Sequence, residues 1–441
     1  MRYRQAIEWL LSFADFERSG RFQDRPDVAP MLALLERLGN PHLGRTTVHI
    51  AGSKGKGSVA AMVDSILLAD GRRTGLYTSP HLQHYTERIQ LDHEPISPGR
   101  FASLATKMQR LIGESPLGPT DRQLVTFDLL TALGFMAFKS EQVDVQLVEV
   151  GLGGRVDSTN VFDTKEVAVI TPISLEHTAI LGDTVEQIAR EKAAIIMPGC
   201  KVVLGPQAYS EAEAAVHQRA SEVNAPLVDV AASYRCGMIN HDGRAQEIRI
   251  KGPNGILRAT LPLLGKHQIE NATAAIAASE ALVEREGKRI PKDPLAKGLA
   301  NVRWPCRIEV LREKPLVIAD GAHNRDSARR LAETLVEYFA CDGALFVIGC
   351  GSDKDIDGLA DELAPLASSV VAVRSEHPRA MDPQRVAEAF GRLGVDSRIM
   401  DKVSLALDAA IASVGSHALI CVAGSLFVAA EARGHLLGVR T

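Results

Sequence analysis

The chain has 441 residues, of which 46% are apolar and 24% charged, and carries a net charge of −4. At ~150 residues per domain this is room for about two to three domains, each able to bury a core. The charge balance provides no basic field. It argues against nucleic acid or an anionic membrane as the main partner, and an anionic substrate must be met by local positive charge. Six cysteines (Cys200, Cys236, Cys306, Cys341, Cys350, Cys421) stand apart with no C-x-x-C pair. Such spacing fits free thiols in a reducing cytosol better than a zinc site, so a cytoplasmic protein is expected.

In chain order, residues 3–13 read as an amphipathic helix with charges among its apolar positions, which is not a signal peptide. A second helix spans 28–38 and ends near Gly39-Asn40-Pro41. Thr46 to Ala51 is rich in β-branched residues and reads as a strand. It runs into Gly52-Ser53-Lys54-Gly55-Lys56-Gly57-Ser58, and Val59 to Leu68 continues with helical spacing. Strand, glycine loop and helix form a phosphate cradle: backbone N–H groups and the helix N-terminus face the anion, and a lysine adds charge. The match to G-x-x-x-x-G-K-[ST] is incomplete, because position 50 is Ile and Gly57 stands where a Mg²⁺-binding hydroxyl is usual. A metal-binding hydroxyl must therefore come from elsewhere; an incidental glycine turn is the plainer alternative.

Strands are expected at 74–78, 143–150, 167–171 and 201–204, with helices at 101–112, 127–138 and 185–196 between them. No apolar run is long enough to span a bilayer. The alternation predicts a mostly parallel, doubly wound sheet, in which ligands bind at the carboxyl ends of strands. Gly52, Ser79, Glu149 and His177 all fall at such ends. Ser79 and Glu149 offer a hydroxyl and a carboxylate, hard oxygen ligands suited to magnesium; a turn cap and a solvent-facing carboxylate are the structural alternatives. His177 as a lone histidine reads as structural more readily than as a ligand. Lys192, on a helix beside Ile188, Ile195 and Ile196, reads as a snorkelling surface lysine. Buried near a cation site, its neutral amine could instead take up CO₂ as a carbamate.

From 225 to 265 the texture changes, with a β-hairpin expected over 247–251 and 256–261 around Gly252-Pro-Asn-Gly255, then a helix over 268–285. A second alternating series follows, with strands near 316–319, 345–348, 369–373, 397–400 and 418–422. The break near Trp304-Pro305 places the domain boundary between 298 and 307, giving units of 1–300 and 307–441. Asp320-Gly-Ala-His323-Asn324 ends the first strand of this series, where an acid, a glycine turn and a histidine can hold a ribose or polarise a phosphate. Asn324 or Asp326 equally serves to cap the helix that follows. Arg307, just past the boundary, and Asn271, opening the 268–285 helix, are polar positions that could meet a nucleotide held between the domains.

As a set, these residues resemble the folylpolyglutamate synthase/dihydrofolate synthase branch of the Mur ligases. The resemblance rests on Leu38-Gly-Asn-Pro41, the stretch His49 to Ser58, Tyr77-Thr-Ser-Pro-His-Leu82 with Glu87-Arg-Ile89, and Glu149-Val-Gly-Leu-Gly-Gly-Arg155 with Asp157-Ser-Thr-Asn160. It continues through Glu176-His177, Leu181-Gly182, Glu191-Lys-Ala193, Gly265-Lys-His-Gln268, Asn271-Ala272, Trp304-Pro-Cys-Arg307, Asp320 to Asn324, Asp353-Lys-Asp355 and Pro378-Arg-Ala380, in the family's order over nearly the whole chain.

The resemblance implies an N-terminal P-loop ATPase-like domain, a C-terminal Rossmann-like domain, and ATP bound between them. It implies transfer of the γ-phosphoryl group to a folate or dihydropteroate carboxylate, and attack of L-glutamate on the acyl phosphate. On the family pattern Lys56 and the 52–58 loop hold the phosphates, Ser79 and Glu149 one Mg²⁺, and His177 a second. Lys192 falls on the family's carbamylated lysine. Asn271, Arg307 and Asp320 fall on nucleotide positions, and His323 lies near the transferring phosphate or glutamate. Departures are Ser53-Lys54 for Thr-Asn, which adds a charge, Glu176 for Asp, Asp128 for Glu, and Cys306 for Gly. Acceptor pockets are expected in loops 80–100 and 115–128. Alternatives are a Mur-type ligase of peptidoglycan synthesis, for whose UDP-sugar domain the roughly 50 residues before the loop are too few, and a non-catalytic protein that closes on ATP. A monomer is expected.

Overall fold

The structure, a computed structural model, describes residues 1–19, 27–113 and 123–438. Among the described residues, seventeen strands form three sheets. The first contains β1 (Thr46–Ala51), β2 (Thr74–Tyr77), β3 (Ile89–Leu91), β4 (Glu94–Pro95), β5 (Val145–Glu149), β6 (Val167–Ile170), β7 (Lys201–Leu204) and β8 (Leu227–Asp229), in the order β4-β3-β2-β5-β1-β6-β7-β8. The ladders β2/β5/β1/β6/β7/β8 are parallel, while β3 and β4 turn antiparallel at one edge. β1 lies mid-sheet between β5 and β6, so its exit loop opens where the chain order reverses, the position at which such sheets take ligands.

β5 and β6 are buried along their whole length, and β6 is apolar throughout, as burial on both faces requires. Val48, Ile50, Val145, Leu147 and Val169 pack toward the helices Lys56–Ala69, Lys266–Arg285 and Lys292–Asn301. Val148 points the other way, into a core with the helices Pro98–Gly113 and Thr126–Glu141. Ala168 and Ile170 meet Ile188 and Ala193 of the helix Val185–Ala193.

The expected hairpin is present as β10 (Gln246–Gly252) and β11 (Gly255–Leu261), and β9 (Arg235–His241) adds a third antiparallel strand. The last sheet has the order β12-β13-β17-β14-β15-β16 and comprises β12 (Glu309–Glu313), β13 (Leu316–Ala319), β14 (Ala344–Ile348), β15 (Ala367–Val373), β16 (Ser397–Met400) and β17 (Leu419–Ala423). It is parallel except for the β12/β13 pair. The α/β class and the doubly wound character therefore hold in both halves.

The strands β3, β4, β8, β9 and β12, at or next to sheet edges, lie outside the sequence reading. They are short or half exposed, so no apolar run marks them. Helices expected over 3–13 and 185–196 end earlier, at Leu10 and Ala193. Asn271 does not open its helix: the helix begins at Lys266, and Asn271 is buried in its second turn. Among the described residues no helix is long and apolar enough to cross a membrane, and all six cysteines are free thiols.

Candidate active site between the two halves

Four strand ends of the first sheet converge. The loop after β1 is pinned to the exit of β6, since the N–H groups of Ser53 and Lys54 both donate to Pro172 O, at 2.9 and 3.0 Å. Gly55 caps the helix Lys56–Ala69 with φ +82°, and a Cβ there would stand 2.4 Å from Oδ1 of Asn271. Gly57 has a different reason. A Cβ at this position would lie 2.6 Å from Cζ2 of Trp304, so the indole occupies the space that a P-loop hydroxyl would need. The missing hydroxyl noted in the sequence is thus a packing consequence of Trp304.

Ser79 and Glu149 come together at the ends of β2 and β5, where Ser79 N–H donates to Oε2 of Glu149 at 3.1 Å. Glu149 is buried, and desolvation raises its pKa against the pull of Lys56 and Arg307. A buried carboxylate beside a hydroxyl, both lining the cavity with the loop, is a donor set that fits Mg²⁺. His177 follows β6 in the left-handed region, φ 47°. It lines the larger cleft, and its pKa is lowered to about 4 by desolvation and by Lys354, Lys192 and Lys56, with Glu176 opposing.

Lys192 is no surface lysine. Only 2% of the residue is exposed, and Nζ donates to Glu176 Oε1 at 2.8 Å and to Gly52 O at 3.1 Å. Its helix turns this face inward against β6, which one-dimensional spacing could not distinguish from the solvent face. Desolvation lowers the pKa of Lys192, although Glu176 opposes it. Burial alone would raise Glu176, but Lys192, Lys56 and Lys54 outweigh it and hold that carboxyl at about 2. Lys56 itself folds back, its Nζ donating to Gly52 O at 3.1 Å.

The far wall comes from the last sheet. Asp320, at the end of β13, accepts Ile308 N–H at 2.9 Å and Ala322 N–H at 2.8 Å, which ties Arg307 beside it. Asn324 caps the helix Arg325–Phe339 by accepting Ser327 N–H, as the sequence reading allowed. His323 has Nδ1 2.9 Å from Gly321 O, so that nitrogen carries the proton and Nε2 is left as an acceptor. Desolvation and Lys54 lower its pKa to about 3, so the ring is neutral at pH 7. A neutral acceptor suits an N–H donor better than a phosphate.

Two cavities meet here. One, about 340 Å³, is lined by residues 53–58, Ser79, Glu149, Asn271, Arg307, Asp320 and His323. The other, about 1590 Å³, runs past Phe13, Phe16, Phe127, Gly151–Gly154, Asp157 and His177. Ser79, His323, Asp353, Lys354 and Arg379 line both. Of the expected acceptor loops, 80–100 forms a 3₁₀ turn with β3 and β4, residues 123–125 and 127 reach the larger cavity, and 115–122 lie outside the described residues. Glu176, His267, Lys354 and Arg379 were not singled out as site residues from sequence. Each sits in a stretch that carried the resemblance, and that was the available signal.

A glycine loop facing a second α/β lobe across such a cleft is the architecture of a Mur-type ligase. Residues 50–279 match the Mur ligase middle domain, and residues 306–426 the glutamate ligase domain of Mur ligases. The dihydrofolate synthase/folylpolyglutamate synthase of Mycobacterium tuberculosis is 35% identical over 410 residues, covering 88% of this chain and 83% of that protein. The folylpolyglutamate synthase of Lacticaseibacillus casei is 31% identical, covering 99% of both chains. A probable bifunctional folylpolyglutamate synthase/dihydropteroate synthase of Haloferax volcanii is 35% identical over 98% of this chain, which spans about half (50%) of its length. Among solved structures, M. tuberculosis folylpolyglutamate synthase complexed with ADP and AMPPCP superposes with a TM-score of 0.87, at 34% identity and 99% coverage of both chains. A folylpolyglutamate synthase–AMPPCP–folate complex gives 0.86, at 30% identity, covering 99% of this chain and 100% of that one. The chain belongs to the folylpolyglutamate synthase/dihydrofolate synthase family of Mur ligases.

Proposed function

We propose that this protein is an ATP-dependent ligase that joins L-glutamate to a folate or dihydropteroate carboxylate through an acyl phosphate. The observation that carries the reading is the junction of the two cavities. A nucleotide-sized pocket holding the anion loop opens, at Ser79, His323 and Lys354, into a cleft large enough for a pteridine and its aminobenzoyl arm. Relatives solved with AMPPCP, and with AMPPCP and folate together, support an ATP- and folate-using site.

The residues take these parts. In the 52–58 loop, where the N–H groups of Ser53 and Lys54 are taken by Pro172 O, those of residues 55–58 and the Lys56 ammonium hold the phosphates. Asn271, Arg307 and Asp320 hold the remainder of the nucleotide between the two units, residues 1–300 and 307–441. Ser79 and Glu149 hold one Mg²⁺, and His177 contributes to a second; the bound ions would neutralise charge on the triphosphate. Nε2 of His323 accepts an N–H of the incoming amine and positions it toward the acyl carbon.

Lys192 as a carbamate would place a new anion against Glu176, now 2.8 Å from Nζ. Two anions so close need a cation between them, which fits a second metal bounded by His177 and this helix. Lys192→Ala is therefore expected to cut turnover by about 100-fold or more, with no recovery in bicarbonate. Near-native turnover would remove the carbamate from the scheme. The protein is expected to act as a monomer in the cytoplasm.

The deciding experiment follows phosphate release from Mg-ATP with dihydropteroate or a reduced folate, with and without L-glutamate. Release that needs both the acid and the amino acid is expected, and the two acceptors compared side by side settle which is used. Release indifferent to glutamate would overturn the ligase reading; none at all would favour a protein that closes on ATP without catalysis.

A further inference from the structure

Four lysines lie at or just behind the cavities, and three make a contact within the protein. Lys56 donates to Gly52 O, Lys192 to Glu176 and Gly52 O, and Lys354 pairs with Asp353 at 2.9 Å. Lys54 differs. Its backbone is fixed by the bond to Pro172 O, its residue lines the smaller cavity, and among the described residues Nζ has no hydrogen-bond or ion-pair partner. The charges that influence it come from both halves: Glu176 and Lys56 from the first, Asp326 and Lys354 from the second. Its own charge in turn bears on His323 across the cleft.

An ammonium held in a partly closed cleft without a counter-ion is costly unless an anion arrives. Lys54 lines the same small cavity as residues 55–58 of the loop and His323, so an anion held there comes within its reach.

We propose that Lys54 is a catalytic residue that contacts the transferring γ-phosphoryl group, while Lys56 grips the nucleotide in the ground state. This rests on the ligase reading above. An oxygen of the acceptor carboxylate forms a bond to the γ-phosphorus as the bond from that phosphorus to the β–γ bridging oxygen breaks. The electron pair leaves with ADP. The Lys54 ammonium keeps its proton and pairs with the non-bridging oxygens, where a loose transition state gathers charge. Desolvation lowers the Lys54 pKa to about 8, so the side chain is mostly cationic at pH 7, and the arriving anion favours that form further. The role parallels a cation supplied to the γ-phosphate in other phosphoryl-transfer enzymes, here delivered by the loop itself.

The test compares Lys54→Met and Lys54→Arg with the parent protein in a single turnover, alongside AMPPCP binding and thermal melting. The Met variant is expected to melt near the parent, to bind AMPPCP within about three-fold, and to lose about 100-fold in the chemical step. The Arg variant, which keeps the charge, is expected to regain at least about ten-fold of that loss. A Met variant with parental single-turnover rate would overturn the proposal. So would a loss appearing wholly in AMPPCP affinity or in acceptor KM, which would make Lys54 a binding group only. If the parent protein itself shows no glutamate-dependent turnover, the ligase reading has failed and not merely the role of Lys54.

Discussion

At single residues, the loop shows how a consensus can mislead. Gly57 looks like a lost metal-binding hydroxyl, and restoring it by Gly57→Ser would complete the G-K-S pattern. The Trp304 ring forbids this, with the nearest ring carbon 2.6 Å from the new Cβ. The substitution is expected to cost about 1–3 kcal/mol through overpacking and to weaken nucleotide binding. Urea unfolding and AMPPCP titration would check it, and tighter Mg-nucleotide binding in Gly57→Ser would reverse the conclusion. Lys192 teaches the complementary lesson. Its helical spacing fits a surface lysine, yet the helix face it occupies packs on β6, and the side chain lies buried beside Glu176.

Among the elements, the helix Leu426–Leu437 carries a charge whose burial is felt across a loop. Glu431 accepts Glu376 N–H at 2.8 Å, and burial, reinforced by the Glu376 carboxylate, pushes its pKa up to about 7. Unfolded, the group titrates near ~4.3. Between those values the folded chain binds the extra proton, so this group's contribution falls as pH rises from about 4.3 to 7 and is full below that window. Glu431→Gln keeps the acceptor oxygen and removes the titration. Stability measured from pH 5 to 7.5 is expected to fall less steeply in the variant, and identical slopes would refute the assignment.

For the whole molecule, the two halves are joined by more than a linker. Tyr338, on the helix Arg325–Phe339, donates its hydroxyl to Oε1 of the fully buried Gln246 on β10 at 2.6 Å. Gln246 in turn donates to Leu263 O and Gly265 O, just ahead of the helix bearing Asn271. Tyr338→Phe leaves that oxygen without a donor, at a cost of about 1–3 kcal/mol. A lower urea midpoint is expected, and with looser seating of the C-terminal half, a higher KM for ATP. An unchanged midpoint would mean the bond contributes nothing to docking.

The sequence by itself determined the repeating strand–helix alternation, the two α/β halves, the glycine loop and the strand ends at which Ser79, Glu149 and His177 stand. These are legible because apolar periodicity, glycine and breaks in pattern are local properties of the chain. Only the tertiary structure decided which face of its helix Lys192 turns inward, why Gly57 cannot carry a hydroxyl, that His323 is neutral, and that Nζ of Lys54 has no hydrogen-bond or ion-pair partner among the described residues. Each depends on groups far apart in sequence brought within a few ångströms, where desolvation and excluded volume act and no one-dimensional pattern records them.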